Sequence, residues 1–303
     1  MSGLVLLLLL LSRPTAALAG EVVELWHDGI ARGAILDRPP RAAGPAPLLI
    51  VLHGAMLDGA AMRGLTDLPA AAIAAGAAIV FPDSYGPVWR DGALSAALPG
   101  AASAPDDVGF IDALADRLVS MRVADPARIH LVGISNGGMM AFAYACRRAE
   151  RLASLVVFKA TMAADALASC RPGRPLPVLM AAGTADRIVR WDGQLVLLGL
   201  IALPRRLSVM DGFFLWLSLN RCHGVQGPVT LPRRGAENAP HVERRTGIGC
   251  AGGADTVLDA IVGGGHRLPG GENSVLFRLL GRATPDEDAT RMVLDFTLPR
   301  RLP

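Results

Sequence analysis

The chain has 303 residues, 51% of them hydrophobic and 19% charged. That excludes intrinsic disorder and leaves ample material for a buried core. Formal net charge is only +3, from 30 Lys+Arg against 27 Asp+Glu, and no basic block stands out, so nothing points to a nucleic-acid partner. Lys159 is the only lysine; with the high Ala and Gly content, this reads as codon bias and is given no functional weight.

Leu4 to Leu11 form an apolar run that falls well short of the ~20 residues of a spanning helix. Ser12 and Pro14 interrupt it, and Ala17-Leu18-Ala19 supplies the small-x-small pattern of a signal-peptidase site. Residues 1–19 therefore read as a secretory signal cut before Gly20, although no Lys or Arg precedes the apolar run. The alternative is a retained N-terminal anchor. No cysteine follows closely enough for a lipoprotein anchor. The expectation is a secreted or periplasmic protein without a stable membrane anchor.

From Gly20 onward, apolar β-branched runs alternate with helical patterns. Strands are expected at Leu48 to Leu52, Ala78 to Phe81, Ile129 to Ile134, Leu155 to Phe158, Val178 to Ala182 and Thr256 to Val262. Helices are expected over about Gly59–Ala75, Val108–Val123, Gly137–Arg148, Met210–Leu219 and Asp288–Leu298. Continuous apolar strands alternating with helices predict an α/β fold, a mostly parallel central sheet flanked by helices. Residues 20–303 read as one catalytic domain with no large separate lid. Pro39 to Pro47 reads as a loop ahead of the sheet. Leu195 to Leu203 is apolar but short, and fits a buried helix or strand better than an exposed lipid- or polymer-contacting patch.

The strongest motif is Gly133-Ile134-Ser135-Asn136-Gly137, at the junction of an expected strand and an expected helix. That is the setting of a nucleophile elbow, with Ser135 exposed where unpaired helix N–H groups favour developing negative charge. A serine needs a base. In α/β-hydrolases the acid and then the histidine follow the serine along the chain. Of the six histidines only His223, His241 and His266 follow Ser135. His266, after the glycine run 263–265 and the last strong strand, is the favoured base. Asp186, just beyond Val178 to Ala182, is the favoured acid, with Asp192 as its rival. Oxyanion donors are expected from the N–H groups of Asn136 and Ala55, the latter in the His53-Gly54-Ala55 loop. His53 reads as a loop brace. Trp89 would suit stacking on an aromatic or sugar group, or equally packing. Asp106 and Asp107 read as helix caps and His130 as a core residue. Cys146, Cys170, Cys222 and Cys250 contain no C-x-x-C pair and suggest two disulfides, with three pairings open.

Together, His53-Gly54, the run Gly133-Ile-Ser-Asn-Gly-Gly-Met-Met140, Gly183-Thr-Ala-Asp186 and Gly264-Gly-His266 resemble a known esterase group. It is the secreted polyhydroxybutyrate depolymerase/feruloyl esterase family of α/β-hydrolases. The likeness runs from about Trp26 to the C-terminal helix and takes in Asp106-Asp107-Val108-Gly109-Phe110 and Leu219-Asn220-Arg221-Cys222. The resemblance implies ester hydrolysis through Ser135, His266 and Asp186 with no metal or organic cofactor, and the pairings Cys146–Cys170 and Cys222–Cys250. The substrates implied are polyester oligomers, feruloylated or acetylated glycans, or small esters. This chain departs from the family where an aromatic usually follows the histidine: here Arg267-Leu268-Pro269-Gly270 stands. Arg190-Trp191 replaces another family pair and makes Trp191 a second candidate substrate contact. The alternative functions are a serine peptidase or acyltransferase on the same triad, or a catalytically silent polymer- or glycan-binding protein.

Overall fold

A computed structural model describes residues 20–40, 44–92, 105–197, 201–203, 206–271 and 279–303. The segment 1–19, read as a secretory signal, lies outside them. The strands are β1 (Glu21–His27), β2 (Ile30–Asp37), β3 (Ala46–Leu52), β4 (Ala78–Pro82), β5 (Ala124–Ile134) and β6 (Ser154–Phe158). They continue with β7 (Val178–Gly183), β8 (Leu195–Leu197), β9 (Ile201–Leu203), β10 (Gly224–Thr230), β11 (His241–Ile248) and β12 (Thr256–Val262). The helices that matter here are α1 (Gly59–Arg63), α2 (Leu68–Ala74), α3 (Asp107–Ser120), α4 (Asn136–Arg148), α5 (Ala166–Ser169), α6 (Val209–Leu219) and α7 (Ala289–Thr297).

Ten strands form one sheet in the order β1-β2-β4-β3-β5-β6-β7-β12-β11-β10. From β4 to β12 neighbours run parallel, and an antiparallel pair closes each edge. The central strands are apolar throughout because both faces are covered. Leu48, Ile50 and Leu52 of β3 face one layer, with α3, α4 and α6 packed through Phe110, Leu114, Met140, Phe142 and Trp216. Leu49 and Val51 face the other, against Met62, Leu68, Val293 and Phe296 of α1, α2 and α7. All six expected strands belong to this parallel core, so their carboxyl ends, and the loops that follow, share one edge of the sheet.

Two expectations need adjusting. The helix expected over Gly59–Ala75 is two helices: α1 ends at its C-cap Gly64, and α2 starts afresh with Pro69 in its first turn. Proline fits a helix start but would break an interior. The loop expected to last until Pro47 ends earlier, because β3 begins at Ala46; residues 41–43 lie outside the described set. Within Leu195 to Leu203, β8 and β9 pair as a separate antiparallel ribbon, with Leu195 buried.

Both disulfides join the partners that the resemblance implied, Cys146 to Cys170 and Cys222 to Cys250. The first ties the end of α4 to α5, and α4 is the helix whose N-cap is Ser135. No helix among the described residues is long and apolar enough to cross a membrane.

Candidate active site

Ser135 sits between the last residue of β5 and the first of α4, at φ 56° and ψ −121°. This conformation is costly for a residue with a side chain and persists only where the surroundings enforce it. Its N–H donates to the Phe158 carbonyl at the end of β6 (2.9 Å), and its carbonyl accepts from Met139 (3.0 Å). The glycines on either side are demanded by space. A Cβ on Gly133 would lie 2.4 Å from the Gly137 carbonyl oxygen, and one on Gly137 would lie 2.4 Å from the carbonyl oxygens of both Leu52 and His53. The G-x-S-x-G pattern therefore records how closely the elbow packs on itself and on the end of β3.

His266 leaves the carboxyl end of β12 on a loop fixed by backbone bonds. Its N–H donates to Leu280 (2.7 Å), the N–H of Gly265 to Arg282 (2.8 Å), and the Gly264 carbonyl accepts from Ala185 (3.0 Å) just before the acid. The imidazole Nε2 lies 3.0 Å from Ser135 Oγ, and Nδ1 lies 2.7 Å from Asp186 Oδ2. The other carboxylate oxygen of Asp186 accepts from the N–H groups of Ile188 (2.8 Å) and Val189 (3.0 Å). Asp186 is 4% exposed, so these donors hold its charge in a largely water-free position. With Nδ1–H donating to the carboxylate, Nε2 is left as an acceptor facing the serine hydroxyl.

The rivals lie elsewhere. Asp192 is exposed and pairs with Arg190. His223 precedes β10, and His241 opens β11 beside Glu243.

Beside Ser135, the N–H of Asn136 belongs to the first turn of α4, where helix donors have no intrahelical acceptor. The N–H of Ala55 donates to none of the described residues. The loop that carries it is braced by His53, which is 0% exposed. His53 Nδ1–H donates to the Gly54 carbonyl (2.8 Å), and Nε2 accepts from the N–H of Ser84 (3.1 Å). Burial pushes its pKa down, so the ring is a neutral strut. Met56 follows at φ 65°, its N–H donating to the Pro87 carbonyl (2.7 Å).

Trp89, a candidate for stacking on substrate, is 0% exposed. Its indole N–H donates to the His53 carbonyl (3.1 Å), and its backbone N–H and carbonyl are both held by the Asn136 side-chain amide. It offers no face to a ligand; an aromatic with a buried N–H needs such a partner, and here that need ties the oxyanion-side loops together. Trp191 is partly buried against the core, and its carbonyl accepts from Val209 at the start of α6 (3.0 Å).

Asp106 caps α3 through the N–H of Val108 (3.0 Å), and Asp107 forms a buried ion pair with Arg32 (2.6 Å). His130 is buried, with Nδ1 2.8 Å from Ser154 Oγ, and burial pushes its pKa down to about 3. Among the described residues no cluster of three or more His, Cys, Asp or Glu side chains could hold a metal ion.

One residue next to this site escaped the sequence reading. Lys159 directly follows β6, is 2% exposed, and its ammonium has no hydrogen-bond partner among the described residues. The only sequence signal was its being the sole lysine in the chain.

No protein-family model matches the chain. Among curated proteins, it is 29% identical over 230 residues to feruloyl esterase B of Piromyces equi, covering 73% of this chain and 39% of that protein. It is 33% identical over 189 residues to the esterase-named NocK of Nocardia uniformis subsp. tsuyamanensis, covering 60% of this chain and 53% of that protein. The chain thus spans about half, or less, of the length of these relatives. Among solved structures, acetyl xylan esterase from Aspergillus awamori superposes with a TM-score of 0.55, over 82% of this chain and 94% of that one, at 12% identity. The shared architecture, a largely parallel sheet between two helical layers, is the α/β-hydrolase fold.

Proposed function

We propose that this chain is a secreted serine carboxylic-ester hydrolase of the polyhydroxybutyrate depolymerase/feruloyl esterase type. The observation that carries the reading is the continuous hydrogen-bonded line from Ser135 Oγ through His266 to Asp186, 3.0 and 2.7 Å. The esterase names of the curated relatives support the same reaction class. In this reading residues 1–19 direct export and residues 20–303 form one catalytic domain. The two disulfides suit an oxidising compartment.

Ser135 Oγ attacks the ester carbonyl carbon while His266 Nε2 takes the hydroxyl proton. The N–H groups of Ala55 and Asn136 receive the oxyanion of the tetrahedral intermediate. Asp186 stabilises the imidazolium and keeps the ring in its working tautomer. His266 then returns the proton to the departing alkoxide, leaving an acyl group on Ser135. Water, deprotonated by His266, attacks that acyl group, and the serine leaves with the proton. Trp191, on the loop after the acid, is the remaining candidate contact for substrate.

The test is a matched panel of short alkyl esters, hydroxybutyrate oligomers, feruloyl esters and acetylated xylan, offered to the purified mature chain. We expect turnover of at least one member and covalent labelling of Ser135 by a fluorophosphonate. The preferred member identifies the substrate class. A folded chain that hydrolyses none, or that prefers amides or transfers acyl groups to alcohols over water, would overturn the assignment.

A further inference from the structure

We propose that Lys159 is a positioning residue of the triad, whose buried positive charge opposes the pull of Asp186 on the His266 imidazolium and keeps His266 an uncharged base at lower pH. The inference rests on the esterase reading for its kinetic consequence, though not for its electrostatic one.

The placement comes from the sheet. β6 lies between β5, which ends at Ser135, and β7, which leads to Asp186. The carbonyl of Phe158, the residue before Lys159, accepts from the Ser135 N–H (2.9 Å), and the Lys159 N–H donates to Ala181 of β7 (2.8 Å). Lys159 therefore stands at the carboxyl edge of the sheet, between the nucleophile and the acid. Its φ of 54° is a conformation that side-chain-bearing residues rarely adopt. Strain of this kind concentrates at functional sites.

A lone buried ammonium is a poor structural choice. It loses its hydration and gains no hydrogen bond from the described residues, whereas an apolar side chain of similar length would fill the space at less cost. The charged group that acts on Lys159 is Asp186, which favours the ammonium, while burial lowers its pKa to about 8. The ammonium is thus charged at neutral pH.

Asp186 alone would raise the proton affinity of His266, and a base that is already protonated cannot accept from Ser135. A buried cation that interacts with the same carboxylate offsets part of that field. The other charges nearby are committed elsewhere. Arg267, next to His266, donates to the Gly271 carbonyl (3.1 Å). Arg206, whose Nε donates to the Thr161 carbonyl (3.3 Å), is neutralised by buried Asp91. Arg190 pairs with Asp192 at the surface. Ser135 is neutral. Substituting Lys159 leaves all of these in place.

The experiment compares the full mature chain with Lys159→Met, Lys159→Gln and Lys159→Arg. The His266 imidazole is titrated by NMR, and kcat/KM is measured against pH on the best ester of the panel. In the Met and Gln variants the His266 pKa and the acid limb of kcat/KM should both rise by about one unit. Well below the limb, turnover should fall about tenfold while the plateau stays unchanged. Thermal stability should hold or increase as the uncompensated charge is removed. Lys159→Arg, which keeps the charge, should keep the wild-type limb. A folded Met or Gln variant with an unmoved His266 titration would overturn the proposal, as would a uniform loss of kcat at every pH. If the wild-type protein hydrolyses no ester, the functional reading fails, yet the NMR titration still decides the role of Lys159.

Discussion

Alanine at position 135 is expected to lower kcat by about 10⁶-fold on any ester the enzyme turns over. The reason is that in the proposed mechanism Ser135 Oγ is the atom that forms the acyl-enzyme. It lies at the carboxyl end of a buried strand, 3.0 Å from the one histidine that can take its proton. Deleting it leaves the Ala55 and Asn136 donors and substrate binding, which together retain a residual advantage of about 10³–10⁴ over water. The fold should survive, because the backbone bonds of Ser135 to Phe158 and Met139 do not involve the hydroxyl. Single-turnover kinetics and a thermal melt on the same preparation check both halves. Undiminished turnover by a folded Ser135→Ala protein would remove Ser135 from the chemistry.

The second large effect is expected at the acid. Asp186→Asn should reduce kcat by about 10⁴-fold near neutral pH. Every neighbour of the Asp186 carboxylate is a donor: the N–H groups of Ile188 and Val189 on Oδ1, and His266 Nδ1–H on Oδ2. An amide has one accepting and one donating end, so it must oppose a donor somewhere. The two backbone N–H groups are fixed, whereas the imidazole can shift its proton. The amide oxygen therefore turns to the backbone and its NH₂ to His266. The ring responds by protonating Nε2, which then points an N–H at Ser135 and can no longer accept its proton. The shape of the site is preserved and its base is lost. A kcat within tenfold of wild type would refute this account. In a Ser135→Ala, Asp186→Asn double variant the losses should not add, since both remove one proton-transfer unit.

Why so much of this was legible in the sequence is itself physical. The six central strands are buried on both faces, so each reads as an unbroken apolar run, and each was placed to within a few residues except β5, which starts earlier, at Ala124. Triad residues follow the ends of three of those strands, β5, β7 and β12, where a parallel sheet gathers its loops. The edges were not legible. β10 is exposed along its whole length and contains glycines and Pro228, so no apolar alternation announces it. β1 and β2 form a hairpin with a mixed burial pattern. Trp89 lies in a Gly/Pro-rich loop, a context that suggests exposure; its burial is decided by residues far along the chain, His53 and Asn136. Lys159 was passed over for the opposite reason: composition explained its rarity, and only the fold gives its place meaning.

The solitude of Lys159 has a practical side. Because the one lysine in 303 residues is 2% exposed, the folded surface offers reagents no lysine amine at all. N-hydroxysuccinimide dyes, glutaraldehyde and amine-directed immobilisation resins should find only the chain's amino terminus. A lysine-specific endoprotease should leave the native chain whole. Once the sheet opens, the same protease has a single bond to cut, after residue 159, between the nucleophile and the other two members of the triad; the two pieces stay joined by the Cys146–Cys170 disulfide until it is reduced. The appearance of two bands on a reducing gel is a direct clock for unfolding, and it registers the opening of the sheet at the edge that carries Lys159.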